Sequence, residues 1–179
     1  MTKIVLIAGS HRQNSESGRV ADYLASRVAA LGMTPDVMKL EGHPLPLWDE
    51  TAWNPDSDLA KRFAPYAARL TSADGFVVIA PEYAGMAAAT VKNFMLYTNA
   101  AMVGHKPALI TSVSAGNNGV YPITDLHVTS YKNNRIAYLP EHLIVRNVGS
   151  VFKGDAPAND DDAYMRDRAD YALGVLKKY

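Results

Sequence analysis

From Gly9 to Ser17 the chain reads Gly-Ser-His-Arg-Gln-Asn-Ser-Glu-Ser, directly after the apolar run Ile4–Ala8. Ser10, Ser15 and Ser17 bring three hydroxyls to this stretch, Asn14 an amide and Arg12 a guanidinium. A buried strand that stops here, followed by a helix starting near Ser15 or Ser17, presents free backbone N–H groups and the positive end of a helix dipole. Neutral donors around one planar cation are what a dianionic phosphate requires. The same residue types also serve as plain helix caps. The three spaced glycines of a dinucleotide fingerprint are absent, as is the Gly-Lys-Ser/Thr ending of a nucleotide-triphosphate loop. A phosphate bound here therefore belongs to a mononucleotide.

Two further stretches follow apolar runs. Pro81-Glu82-Tyr83-Ala84-Gly85 precedes a helix carrying Lys92 and Asn93, and Ser114-Ala115-Gly116 opens a segment of small residues and amides to Gly119. A flat heteroaromatic ring needs such a slot, with backbone donors at its rim and close glycine contacts. Each stretch alone reads as an ordinary tight turn. All three above neighbouring strand ends make a ligand site the better reading. Ser114 lacks the Gly-x-Ser-x-Gly elbow of a hydrolase nucleophile, and the five histidines lack metal-ligand spacing. Glu82 reads as a solvated or capping carboxylate, and Asp160-Asp161-Asp162 as helix-start electrostatics.

The elements that position these loops follow from the apolar runs Lys3–Ala8, Pro35–Leu40, Gly75–Ala80 and Ala108–Val113, with a weaker fifth at His142–Val148. Continuous runs of this kind fit strands buried on both faces of a parallel sheet. Between and after them, Ser17–Leu31, Leu59–Leu70, Ala87–Met102 and Asp160–Lys178 suit helices. Glu41–Ser57, with three prolines and two tryptophans, reads as a structured excursion, and Pro122 predicts a loop up to its own position. The alternation predicts one α/β domain over residues 1–179, a flavodoxin-like doubly wound sheet of five parallel strands in the order 2-1-3-4-5, with its ligand at the switch point.

Eighteen Lys plus Arg balance eighteen Asp plus Glu, so no bulk attraction to nucleic acid or an acidic membrane is expected. The absence of cysteine excludes disulfides, thiolate metal sites and cysteine nucleophiles. No apolar stretch approaches a membrane span, and a cytoplasmic protein is expected.

Gly-Ser-x-Arg-x-x-Ser after the first strand, with Pro-Glu-Tyr and a Lys-Asn helix after the third, resembles the NADPH-dependent FMN reductases, which include quinone and chromate reductases. The resemblance runs to about Gly119. It implies an FMN phosphate held by Ser10, Arg12, Ser15 and Ser17, with Asn14 among the loop amides. Pro81, Glu82, Tyr83, Ala84 and Gly85 would follow the isoalloxazine edge, and Ser114, Ala115 and Gly116 would close its other side. NADPH or NADH would be the co-substrate, a quinone, flavin or similar small molecule the acceptor, and a homodimer or homotetramer the assembly. The family commonly has Asn after Pro-Glu-Tyr and a Pro-Gly pair at the next helix start, where this chain has Ala84, Ala88 and Ala89. Its third loop usually holds Gly-Gly and then Arg, where this chain has Asn118-Gly119-Val120-Tyr121-Pro122. These departures motivate the alternative of a binding or regulatory module with weakened flavin binding. The neutral charge disfavours an electron carrier.

Overall fold

Ile4, Leu6 and Ala8 pack against one helical layer and Val5 and Ile7 against the other, so strand β1 (Lys3–Ala8) is buried on both faces. Alternating side chains on a covered strand leave no polar face, which is why the run is continuously apolar. The computed structural model describes all residues, 1–179. Strand β1 pairs in parallel with β2 (Thr34–Lys39) and β3 (Gly75–Tyr83), β3 with β5 (Pro107–Val113), and β5 with β6 (Ala137–Val145). A two-residue strand, β4 (Met86–Ala87), folds back antiparallel on the end of β3. The sheet order is β2-β1-β3-β5-β6. Counting only the parallel strands, this is the expected flavodoxin-like order; the short β4 is the addition.

Helices α1 (Glu16–Ala30) and α6 (Asp160–Leu176) cover one face through Val20, Leu24, Ala169 and Leu173. The other face is covered by α2 (Asp58–Thr71), α3 (Ala89–Tyr97), the single turn α4 (Ala100–Val103) and α5 (Val120–Thr129), through Phe63, Phe94, Val103 and Leu126.

Four elements differ from the sequence expectation. Pro81–Tyr83 extends β3 instead of following it. Pro81 lies opposite Val113 in the ladder, and its carbonyl accepts from the Ala88 N–H. The expected helix Ala87–Met102 breaks at Thr98, where Thr98 Oγ1 bonds the Met95 carbonyl and Asn99 Oδ1 caps the Ala101 and Met102 N–H groups. Helix α5 begins before Pro122, not after it. Pro122 is its third residue, where the missing N–H would have had no helical acceptor anyway. The fifth parallel strand is Ala137–Val145, not His142–Val148, and as an edge strand it alternates buried and partly exposed positions.

Candidate functional site

The three expected loops leave the carboxyl ends of β1, β3 and β5, which lie side by side, and the chain reverses its winding between β1 and β3. Open α/β sheets bind ligands at that crevice.

At the first loop, a Cβ on Gly9 would sit 2.0 Å from Val91 Cγ2, so only glycine lets β1 end against α3. Asn14 turns the chain with φ 50°, a left-handed conformation that asparagine tolerates. Ser15 then caps α1, accepting the Gly18 N–H at 3.1 Å. Its hydroxyl proton remains available. The backbone N–H groups from Gln13 to Ser17 have no acceptor within the protein, and neither does the Ser17 hydroxyl. Arg12 is exposed and makes no ion pair, whereas Glu16, the loop's one acid, is bound to Arg19 at 2.6 Å. Ser10 is buried: its Oγ accepts the Arg12 N–H at 3.2 Å and shares a 2.8 Å hydrogen bond with the Tyr83 hydroxyl. Ser10 therefore ties the first loop to the second.

The second loop is a two-residue β-hairpin. Ala84 (φ 51°) and Gly85 (φ 70°) are both left-handed, the pattern of a type I′ turn. Asp125 of α5 secures its return strand, accepting the Ala87 N–H at 3.2 Å and pairing with Lys92 at 2.7 Å. Glu82 Oε1 is buried with no partner, an orphan that a packed protein ordinarily satisfies. Lys92 and Asn93 are structural. The Asn93 side chain takes the Trp48 N–H and donates to the Pro46 carbonyl, pinning the Glu41–Ser57 excursion onto α3.

The third loop is held from behind by the two residues after β6. Asn147 donates its N–H to the Gly116 carbonyl and its Nδ2 to Asn117 Oδ1, both at 2.9 Å. Arg146 Nε donates to the Asn118 carbonyl at 3.0 Å. Ser114 is buried between Val145 and Val148 through its backbone. The Ala115 and Gly116 N–H groups have no protein partner, and a Cβ on Gly116 would meet only open space. At Gly119 (φ 106°) a Cβ would lie 2.7 Å from Ile144 Cγ2, so this glycine serves the packing.

The carboxylates with displaced titration lie elsewhere. Hydrogen bonds from Arg69, opposed by burial and helped by Lys3, hold Asp36 on β2 below the ordinary carboxylate range. Burial would raise Asp162, but the Phe152 and Ala158 N–H groups and Arg166 outweigh it and hold this acid low as well.

Five consecutive free amides, an unpaired guanidinium and spare hydroxyls match a phosphate. Free amides at the third loop and an unsatisfied acceptor at the hairpin match a ring with both donor and acceptor edges. The model of the NADPH-dependent FMN reductase family matches residues 2–148. The chain belongs to that family. As an FMN reductase family member it is an NAD(P)H-dependent oxidoreductase with FMN as cofactor. The NADPH azoreductase of Bacillus sp. (strain OY1-2) is 26% identical over 128 residues, 71% of this chain and 67% of the relative. Among the solved structures that share the fold of this chain are two oxidoreductases. The flavoenzyme FerB, an NAD(P)H:acceptor oxidoreductase of Paracoccus denitrificans, superposes with a TM-score of 0.74 at 16% identity, covering 99% of this chain and 98% of its own. An oxidoreductase of Corynebacterium diphtheriae gives 0.73 at 17%, covering 99% and 96%.

Sequence reasoning missed Arg146 and Asn147, which act on the third loop from about thirty residues downstream. Their one local signal is the residue type of Asn147, an asparagine suited to the left-handed conformation it adopts (φ 44°). It also missed His43, which stacks on His11 at 4.5 Å.

Proposed function

We propose that this flavin reductase transfers the electrons of NAD(P)H to a small aromatic acceptor, such as a quinone, an azo compound or a second flavin, with its FMN held by the three loops. The observation that carries this reading is the run of unpartnered amides from Gln13 to Ser17 beside an unpaired Arg12 at the start of α1. FMN, when bound, supplies the two-electron relay between donor and acceptor. The chain supplies position and charge. Arg12, Asn14, Ser15 and Ser17 bind the phosphate. Ser10 fixes Tyr83, and with it the strand end Pro81–Tyr83 and the turn Ala84–Gly85 along one ring edge. Ser114, Ala115 and Gly116 offer the opposite edge their backbone donors, which stabilise negative charge developing there. The azoreductase relative favours an extended aromatic acceptor.

The same reading includes a homodimer that buries exposed Trp53 and Leu96, 76% and 57% accessible in the single chain. It also includes a cytoplasmic setting, where NAD(P)H is available. No helix is long and apolar enough to cross a membrane.

Flavin-free protein titrated with FMN and with riboflavin, followed by quenching of flavin fluorescence, tests the loop assignment. Losing one charge-assisted phosphate contact is worth about 1.5–3 kcal/mol, so Arg12→Ala should weaken FMN roughly 10- to 150-fold. Riboflavin, which lacks the phosphate, should bind both proteins alike. Equal weakening of both flavins, or of neither, rejects the phosphate assignment. Bleaching of the FMN-loaded protein by NADH against NADPH, and sedimentation of the loaded protein, test the remaining parts.

A further inference from the structure

On the α3 side of the hairpin lies a groove of about 620 Å³, bounded by the first loop, the Pro44–Leu47 stretch of the excursion and the start of α3. Its volume is that of a small-molecule site. It shares His11, Tyr83 and Ala84 with the candidate flavin loops but is lined mostly by aliphatic and small residues, among them Leu45, Leu47, Met86 and Ala88. Most of its polar groups are already employed. Lys92 is bound to Asp125, the Asn93 amide to Pro46 and Trp48, and the Tyr83 hydroxyl to Ser10. Thr90 Oγ1 lies 3.4 Å from His11 Nδ1.

What remains is a pair of imidazoles. His11 and His43 stack with centroids 4.5 Å apart and planes 22° from parallel, and His11 meets the Tyr83 ring edge-on at 5.8 Å. The chain accepts a strained backbone to place His43 there. Gly42 (φ 72°) and His43 (φ 54°) are both left-handed, and the Gly42 N–H is bound to the His11 carbonyl at 2.9 Å. Histidine enters that region more readily than most residues, and the turn sets the His43 ring over His11. No Asp or Glu lines the groove. Its wall therefore offers aromatic faces, aliphatic surface and N–H donors, without a negative charge. That complements a flat, apolar molecule whose rim carries carbonyl or anionic oxygens.

We infer that this groove is the docking site of the electron acceptor, a planar quinone-type molecule whose oxygens are received by His11 and His43. The inference rests on the oxidoreductase reading above, because it supplies the second substrate's seat beside the flavin loops.

The chain has five histidines, so each ring Hε1 signal can be followed by proton NMR. The probe is 1,4-naphthoquinone-2-sulfonate, added without NAD(P)H to flavin-free and to FMN-loaded protein, with assignments from His11→Gln and His43→Gln. The His11 and His43 signals should move while those of His105, His127 and His142 stay. His43→Gln should raise the probe's Kd about fivefold, the loss of one neutral hydrogen bond, and leave FMN affinity unchanged. His43 is exposed, so this variant should melt with the wild type. Silent His11 and His43 signals at saturating probe overturn the inference. So does a Kd indifferent to His43→Gln, or shifts that follow protein concentration and mark a second copy covering the groove. Failure to bind FMN while these two signals still respond counts against the flavin assignment and spares the groove.

Discussion

The hairpin that carries Tyr83 gives a quantitative test of backbone strain. Ala84 at φ 51° and Gly85 at φ 70° are the two central residues of a type I′ turn, which favours Asn-Gly. An L-residue with a Cβ in this region costs roughly 1–2 kcal/mol relative to its normal conformation, less where an asparagine side chain can bond locally. Ala84 is exposed, and a Cβ added at Gly85 would find no atom within 4 Å. Packing therefore enters neither substitution, and torsion decides both. Ala84→Asn should stabilise by about 0.5–1 kcal/mol. Gly85→Ala adds a second strained Cβ and should destabilise by about 1 kcal/mol, after allowing roughly 0.5 kcal/mol for the stiffer unfolded chain. For a chain of this size, 1 kcal/mol shifts Tm by about 2–4 °C. Calorimetry on the flavin-free protein should show Ala84→Asn melting above the wild type and Gly85→Ala below it. If Gly85→Ala melts with the wild type, the left-handed turn is not what holds the hairpin, and the reasoning fails.

Asn147 should matter to turnover without touching the phosphate. Asn147→Ala removes the 2.9 Å bond to Asn117 and places alanine at φ 44°. It should raise the KM for NAD(P)H severalfold, about what one lost hydrogen bond supplies, and leave FMN affinity within twofold. Asn147→Gly, which restores the backbone preference, should recover part of the loss; equal damage from both variants would show that only the side chain counts. Stability should fall in acid. Asp36 and Asp162 both titrate below their ordinary value of about 3.9, so their contribution is complete above that pH and is lost as pH falls through their lower folded values. Tm should decline gently as pH falls from about 7 to 5, because burial holds His127 below its ordinary value and the unfolded chain takes up that proton first, and drop more steeply below about pH 4. Asp162→Asn should lower Tm at neutral pH and flatten the acid limb, and an unchanged limb would remove Asp162 from the account.

The parts of the fold legible in the sequence are those fixed by local chemistry. Strand β1 runs Lys3–Ala8 as read, because burial on both faces leaves no polar position to blur its ends. Helix α6 begins at Asp160 as read, because Asn159 caps it, its side chain accepting the Asp162 N–H at 2.9 Å. The misreadings come from residues with two local meanings. Pro122 signals a break in mid-helix and costs nothing in a first turn. Asn99 reads as an ordinary helix residue until its side chain turns back to cap the next turn. Strand β6 carries Pro140, Glu141 and His142, whose polarity hides an edge strand that needs only one buried face.

The site divides along the same line. Each loop is visible by itself, since serines, glycines and an arginine beyond apolar runs are local signals. What makes them one site is long-range. Ser10 and Tyr83 are 73 residues apart and share one hydrogen bond. Asn147 holds Asn117 across 30. The Ser10 hydroxyl, expected at the phosphate, also ties the first loop to the hairpin through Tyr83. A motif match lists the groups that a cofactor needs, but such cross-links decide whether they meet. In this chain they also bear on the departures from the family pattern. With Ala84 where the family commonly has Asn, the hairpin still closes through Gly85, the Ala88–Pro81 bond and Asp125. The substitution therefore removes stability from the turn while leaving Tyr83 within reach of Ser10.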